Sequence, residues 1–310
     1  MALEDIELPP PGAKEARIRH TIIGVNFIDT YQRSGLYPLA RLPSGLGNEA
    51  AGHIEAVGES VRDFKPGDRV AYCSGAIGAY AEANNVPADR VVKLPDSVSD
   101  ETAAAALLKG MTAQYLLKRT YPVKPGEAIL VHAAAGGVGL ILCQWAKQLG
   151  ATVIGTAGRE EKMTRARANG CAHVLNARHD NIPKRVRELT EGKGVSVVYD
   201  GVGKDTFMAS LDSLAVRGMM VSFGNASGAV PPFDPLLLSA KGSLYLTRPT
   251  LAHYTRDAKE LQQTADDLFA IIATGAVKIE IHQRFALAKA RRAHEALHAR
   301  ATVGATVLVP

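Results

Sequence analysis

As far as residue 109, apolar residues come in short runs broken by glycine, proline and asparagine, the texture of strands and turns. Ala16–Gly24 reads as a strand leading into Val25–Tyr31, with a loop at Ser34–Pro38 and the stretch Gly47–Gly52 after it. His53–Val57 and Asp68–Ala71 read as further strands joined by the turn Lys65-Pro66-Gly67-Asp68. Short strands at close intervals predict a compact β-rich domain.

From Asp100 the texture changes. Glu101–Leu117 is alanine-rich and helix-prone, and Pro122–Gly126 stops it. Strand-length apolar runs then alternate with helical stretches: Ala128–His132, Thr152–Ala157, His173–Asn176, Val195–Asp200, Met219–Phe223 and Ser243–Thr247, with helices at Glu160–Ala168, Ile182–Thr190 and Thr206–Leu214. The alternation predicts an α/β fold with a doubly wound parallel sheet. After Pro249 come a helix at Asp257–Ala273, a strand near Val277–Ile281, a helix at Lys289–Arg300 and a strand at Ala305–Val309. These are expected to rejoin the β-rich domain. The domains are then 1–109, 110–247 and the return 248–310, with the active site expected in the cleft between the lobes.

Ala128–Lys147 organises the chain. An apolar strand runs into Ala134-Ala135-Gly136-Gly137-Val138-Gly139 and out into a helix with apolar positions Val138, Ile141, Leu142, Trp145, Ala146 and Leu149, stopped by Gly150. The turn is an A-x-G-x-x-G dinucleotide fingerprint. Gly136 lets backbone approach a pyrophosphate, Gly139 lets the helix pack on its strand, and the helix N-terminus offers free N–H groups. Ala151–Ala157 follows at once and completes the βαβ unit. The uncharged run Ala128–Ala146 approaches membrane-spanning length, but His132, Gln144 and Gly136-Gly137 argue against insertion.

A length of 310 residues suits two domains. Hydrophobic content of 46% and charged content of 22% are those of a soluble globular chain. The net charge of +5 suits an anionic cofactor, and no dense Lys/Arg block points to nucleic acid. Cys73, Cys143 and Cys171 are widely spaced and offer neither a disulfide framework nor a cysteine zinc site. The start, MALEDIELPPPG, lacks the basic and apolar regions of a signal peptide, so a cytoplasmic location is expected.

The second strand of an NAD site ends in a carboxylate that accepts the ribose hydroxyls. Here that strand ends Thr156-Ala157-Gly158-Arg159, with no carboxylate at Gly158. Arg159 and Lys162 are placed to pair with a 2′-phosphate, so NADPH is expected over NADH. Glu160 and Glu161 suit the positive end of the following helix. His294-Glu295-Ala296-Leu297-His298 matches H-E-x-x-H, but no further ligand is evident. His294 shares a helical face with Leu287, Ala290 and Leu297, which favours a partly buried structural histidine, and no metal is expected.

Several stretches together resemble the quinone oxidoreductase/zeta-crystallin group of the medium-chain dehydrogenase/reductase superfamily. They are Gly126–Leu130, the fingerprint with Gln144 and Lys147, NFIDTYQRSGLYP (Asn26–Pro38), LPSGLGNEAAG (Leu42–Gly52), VVYDGVG (Val197–Gly203), VSFGNASGAV (Val221–Val230), KGSLYLTRP (Lys241–Pro249) and RAHEALHARAT (Arg292–Thr302). The resemblance implies a GroES-like β-rich catalytic domain interrupted by a Rossmann domain, and a homodimer formed near Ser243–Thr247. Zinc-containing relatives carry a cysteine ligand near Asn26 and a histidine ligand at Asn48, so the resemblance implies a zinc-free reductase. It places Asn26, Asp29, Tyr31, Thr112, Tyr115, Gly137, Val138, Gly158, Lys162, Gly201, Phe223, Asn225, Thr247 and Arg300 around NADPH, with Lys162 and Arg300 on the 2′-phosphate. A tyrosine common beside that pocket is replaced by Ala177.

The reaction expected is transfer of reducing equivalents from NADPH to a quinone. The acceptor is already electrophilic, so the protein need mainly position it and stabilise charge on its oxygen. Asn26, Tyr31, Arg33 and Tyr37 are the candidate catalytic donors. The rival readings are an NADPH-dependent reductase of α,β-unsaturated carbonyls and a non-catalytic dinucleotide- or RNA-binding role of the crystallin kind. No aromatic-plus-basic RNA-binding signature supports the last.

Overall fold

The computed structural model describes residues 1–310. In chain order the elements are β1 (Glu15–Val25), α1 (Phe27–Ser34), β2 (Glu49–Val57), β3 (Arg69–Tyr72), β4 (Ala83–Pro87), β5 (Val92–Lys93) and α2 (Asp100–Tyr115). Next come β6 (Ala128–Val131), α3 (Gly137–Gln148), β7 (Thr152–Ala157), α4 (Glu160–Ala168), β8 (His173–Asn176), α5 (Ile182–Leu189), β9 (Val195–Asp200), α6 (Phe207–Ser213), β10 (Leu214–Ser222), α7 (Leu236–Ala240) and β11 (Tyr245–Thr247). The chain closes with α8 (Ala258–Ala273), β12 (Ile281–Ala286), α9 (Ala290–His298) and β13 (Ala305–Val309). No helix is long and apolar enough to cross a membrane.

Two compact units result: 1–111 with 254–275 and 279–310, and 112–253 with 276–278. The first is a seven-stranded sheet in the order β12-β13-β1-β2-β3-β5, with β4 also on β1. β1 carries it. Its N-terminal half pairs with β4 (Arg17 opposite Asn85) and its C-terminal end with β13 (Gly24 opposite Val307), while β2 runs along its other edge. Ile18, Ile23, Ile54, Val70, Tyr72, Val86 and Leu308 are buried together. Each such aliphatic side chain contributes about 1.5–3 kcal/mol.

The second unit is a six-stranded parallel sheet in the order β11-β10-β9-β6-β7-β8. Leu130, Ile154, Val198 and Met220, on the central strands, are buried in one core with Phe207 and Leu211 of α6. Near-continuous apolar strands of this kind belong to parallel sheets covered on both faces. The direction of strand order reverses between β6 and β9, which makes a crevice at the carboxyl ends of the strands.

The stretch Val25–Tyr31, to which the sequence assigns no element, turns at Asn26 into α1, which Gly35 ends at φ 80°. Two expectations change. The strand expected at Val277–Ile281 forms at Ile281–Ala286 instead, its register set by parallel pairing to β13. β10 begins at Leu214, five residues before the expected Met219, because Leu214 itself pairs with Val195.

Candidate active site

In the second unit, all but two of the residues picked out from sequence gather at the carboxyl ends of parallel strands. β6 ends into the fingerprint turn, β7 into Gly158, β9 into Gly201 and β10 into Phe223, and Thr247 is the last residue of β11. The exceptions, Thr112 and Tyr115, are buried on α2. The turn is tight. Ala133 is held at φ 52°, a left-handed backbone that a side chain rarely adopts and that marks functional turns. A Cβ on Gly139 would lie 2.4 Å from the Ala133 carbonyl oxygen and 2.8 Å from that of Ala134, so only glycine lets α3 start this close to β6. Gly136, the residue before α3, takes an extended backbone at φ −78° and ψ 172°. The crevice, the close helix start and the free first-turn N–H groups fit a dinucleotide pyrophosphate.

At the end of β7 no carboxylate meets Gly158. Arg159 precedes α4 and is exposed, and its guanidinium engages no carboxylate. Lys162 lies in the first turn of α4 and is half-buried. Glu160 and Glu161 turn instead to Arg167, at 3.1 Å, and Arg165, at 3.7 Å. Asn225 and Phe223 follow β10, and the Phe223 N–H donates to the Asp200 carbonyl at 2.8 Å.

In the first unit the polar residues converge below α1. Glu49, fully buried on β2, accepts from Lys109 Nζ at 3.2 Å, from Asn26 Nδ2 at 2.7 Å and from the Leu108 N–H at 2.6 Å. A Cβ on Gly24 would fall 2.2 Å from Glu49 Oε2, so β1 must carry glycine there for the carboxylate to lie flat against it. Asp29, in the first turn of α1, accepts from the Asn26 N–H at 2.8 Å, from Asn48 Nδ2 at 2.7 Å and from the Tyr80 hydroxyl at 3.0 Å. Burial pushes the Asp29 carboxyl up to about 6, against the hydrogen bonds from Asn48, Asn26 and Tyr80 that favour its charged form. With its hydrogen directed at Asp29, the Tyr80 hydroxyl oxygen accepts from His294 Nε2–H at 2.9 Å, and His294 Nδ1 is left buried without a partner.

Sequence reasoning placed Asn26, Asp29, Tyr31, Arg33 and Tyr37 here: Asn26 caps the start of α1, Asp29, Tyr31 and Arg33 lie on it, and Tyr37 is in the loop after it. Tyr31 and Tyr37 meet edge to face, with ring centroids 5.2 Å apart. Two donors already have partners. Asn26 gives one Nδ2 hydrogen to Glu49, which holds the start of α1 in place. The exposed Arg33 lies 2.8 Å from His298 Nε2. Arg300 follows α9 with a left-handed backbone at φ 52°. His294 is fully buried, deeper than its pattern implied.

Glu49, Lys109, Asn48 and Tyr80 were not picked out as site residues. The signal was there: Lys109 is a lone cation in an alanine- and leucine-rich helix, which calls for a buried partner. No three His, Cys, Asp or Glu side chains come together as a metal site. The side chains at Asn26, Asn48 and Lys109 are two amides and an ammonium, and they do not fit zinc.

Known proteins agree with this architecture. Residues 12–96 match the alcohol dehydrogenase GroES-like domain and residues 137–269 the family described as zinc-binding dehydrogenase. Quinone oxidoreductase of Pseudomonas aeruginosa is 55% identical over 306 residues, covering 99% of this chain and 94% of that protein. 2-Haloacrylate reductase of a Burkholderia species is 44% identical over 313 residues, covering 99% of this chain and 94% of that one. The crystal structure of Escherichia coli quinone oxidoreductase complexed with NADPH matches with a TM-score of 0.98 at 50% identity, covering 99% of this chain and 95% of that one. The chain therefore belongs to the quinone oxidoreductase family of the medium-chain dehydrogenases/reductases.

Proposed function

We propose that this chain is an NADPH-dependent quinone reductase working without a metal, its cofactor held along the carboxyl edge of the parallel sheet. The observation that carries the reading is the end of β7, where Gly158 replaces a carboxylate and Arg159 and Lys162 follow. A 2′-phosphate suits such a place and a bare ribose does not. The relatives' names and the NADPH in the Escherichia coli structure support the same choice.

Reduced nicotinamide, when bound, supplies two electrons as a hydride equivalent. The chain does the rest. The turn Gly136-Gly137-Val138-Gly139 offers N–H groups to the pyrophosphate, and Thr112, Tyr115, Gly201, Phe223, Asn225 and Thr247 shape the surrounding wall. The Lys109–Glu49 pair fixes Asn26 and with it the start of α1. Tyr31 and Tyr37 supply phenolic hydroxyls to the oxygen on which charge grows as the quinone is reduced. A second reading, reduction of α,β-unsaturated carbonyls, is favoured by the haloacrylate reductase relative and needs the same donors at one carbonyl.

A homodimer is part of the proposal. β11 is the end strand of its sheet, Tyr245 on it is 58% exposed and Val216 is 72% exposed, and an unpaired strand edge is a natural pairing surface. Sedimentation of wild type and Tyr245→Lys tests it; a wild-type monomer refutes it.

Steady-state assay with NADPH against benzoquinone, naphthoquinone and a 2-enal tests the main reading. Turnover of the quinones, falling about tenfold in Tyr37→Phe, is the expected result. An enal preferred over every quinone would move the assignment to the second reading.

A further inference from the structure

We propose that Arg178 is a specificity residue for the 2′-phosphate, forming with Arg159 a pair of guanidinium groups on either side of Gly158. This rests on the NADPH reading above and says which side chain of this chain discriminates.

The observation is a close approach between two loops. Arg178 lies in the loop after β8, the strand next to β7 in the sheet, where Ala157 stands opposite Asn176. Two hydrogen bonds set its backbone: the Ala177 N–H donates to the Ala157 carbonyl at 2.9 Å, and the Arg178 N–H donates to Asn176 Oδ1 at 3.0 Å. The side chain folds back over β7's end. A Cβ on Gly158 would meet Arg178 Nε at 3.3 Å, with its Cγ and Cδ next, at 3.6 and 3.8 Å. Arg178 therefore crosses the position from which an NAD-type carboxylate would project. Ala177 beside it contributes only a methyl group, so nothing larger competes for the space.

Charge points the same way. Most arginines nearby have a protein acceptor: Arg165 meets Glu161, Arg167 meets Glu160, Arg185 meets Glu188, and Arg187 donates to the carbonyls of Gly192, Lys193, Asp212 and Leu214. Arg159 and Arg178 engage no carboxylate, although Asp180 is two residues from Arg178; that carboxylate instead accepts the Asn176 N–H. Two exposed guanidinium groups flanking a glycine at a dinucleotide strand end lack an anion, and a phosphate dianion can accept from both.

Isothermal titration of the full-length protein with 2′,5′-ADP and 5′-AMP tests this without turnover. Wild type should bind 2′,5′-ADP the more tightly. Arg178→Ala should weaken 2′,5′-ADP by about tenfold, one charge-assisted hydrogen bond at an exposed site, and leave 5′-AMP unchanged. Arg178→Lys should recover part of the loss. Gly158→Asp should reverse the preference by pairing with Arg178, and adding Arg178→Ala to it should cost no further 2′,5′-ADP affinity. If Arg178→Ala leaves 2′,5′-ADP binding intact while Lys162→Ala weakens it, the inference is wrong and the cofactor reading stands. Equal weakening of both ligands by Arg178→Ala also overturns it. If wild type binds 5′-AMP as tightly as 2′,5′-ADP, the cofactor reading itself fails.

Discussion

Replacing Lys109 by methionine tests the buried network most sharply. The substitution keeps most of the side chain's length and apolar stem but removes the ammonium, and Lys109 and Glu49 are 5% and 0% exposed. Breaking a buried pair from one side costs about 3–5 kcal/mol, because the remaining charge loses its partner and stays out of water. Glu49 keeps its bonds from Asn26 Nδ2 and the Leu108 N–H, so the lower end, about 3 kcal/mol, applies. For a unit of this size each kcal/mol moves Tm by roughly 2–4 °C, giving a fall of about 6–12 °C. Scanning calorimetry is the assay, since Trp145, the only tryptophan, lies outside this unit and would not report on it. The double variant Lys109→Met with Glu49→Gln should regain about 2 kcal/mol relative to the sum of the two single changes. A Tm within a degree of wild type for Lys109→Met, or additive losses in the double variant, would refute the reasoning.

Three further outcomes follow from local geometry. Gly139→Ala puts a methyl 2.4 Å from the Ala133 carbonyl oxygen, so α3 must shift; we expect a stability loss of about 1–3 kcal/mol and NADPH affinity at least tenfold weaker by titration. His20, buried, donates from Nδ1 to the Ala81 carbonyl at 2.7 Å, and burial lowers its pKa to about 4 against 6.5 ordinarily. The unfolded chain therefore binds the extra proton between those values: stability is complete above pH 6.5 and falls by about 3 kcal/mol as pH drops through 4, a loss His20→Gln should lack in urea titrations. Asp29 has the opposite sign. Raised from 3.8 to about 6, its contribution is complete below pH 3.8 and lost as pH rises through 6, so Asp29→Asn should remove a decline of about 3 kcal/mol over that window, read as the pH dependence of the difference from wild type.

The doubly wound sheet was legible because its strands are continuous apolar runs and its helices periodic; β7, β8, β9 and α4 fall on the residues expected. The β-rich unit was harder to read. β4 is Ala-Asn-Asn-Val-Pro, a poor strand by propensity, and exists because Arg17 and Ile18 of β1 pair with Asn85 and Asn84. α1 is short and polar, and its signals are local: Asn26 before it, Asp29 three residues on, Gly35 after it. The fingerprint turn and the missing carboxylate at Gly158 could be read from spacing alone. The Lys109–Glu49–Asn26 cluster could not, since it joins residues 60 and 23 positions apart through tertiary pairing. Arg178 was hidden for the same reason, being brought to Gly158 by the pairing of β7 with β8.

The central claim is that cationic side chains select the phosphorylated dinucleotide, and the ratio of kcat/KM for NADPH over NADH with a single naphthoquinone measures it directly. At low salt the ratio should be on the order of 100, the worth of two charge-assisted hydrogen bonds, and it should fall as ionic strength rises. A ratio near or below one, or one that neither salt nor Arg159→Ala changes, would contradict the account.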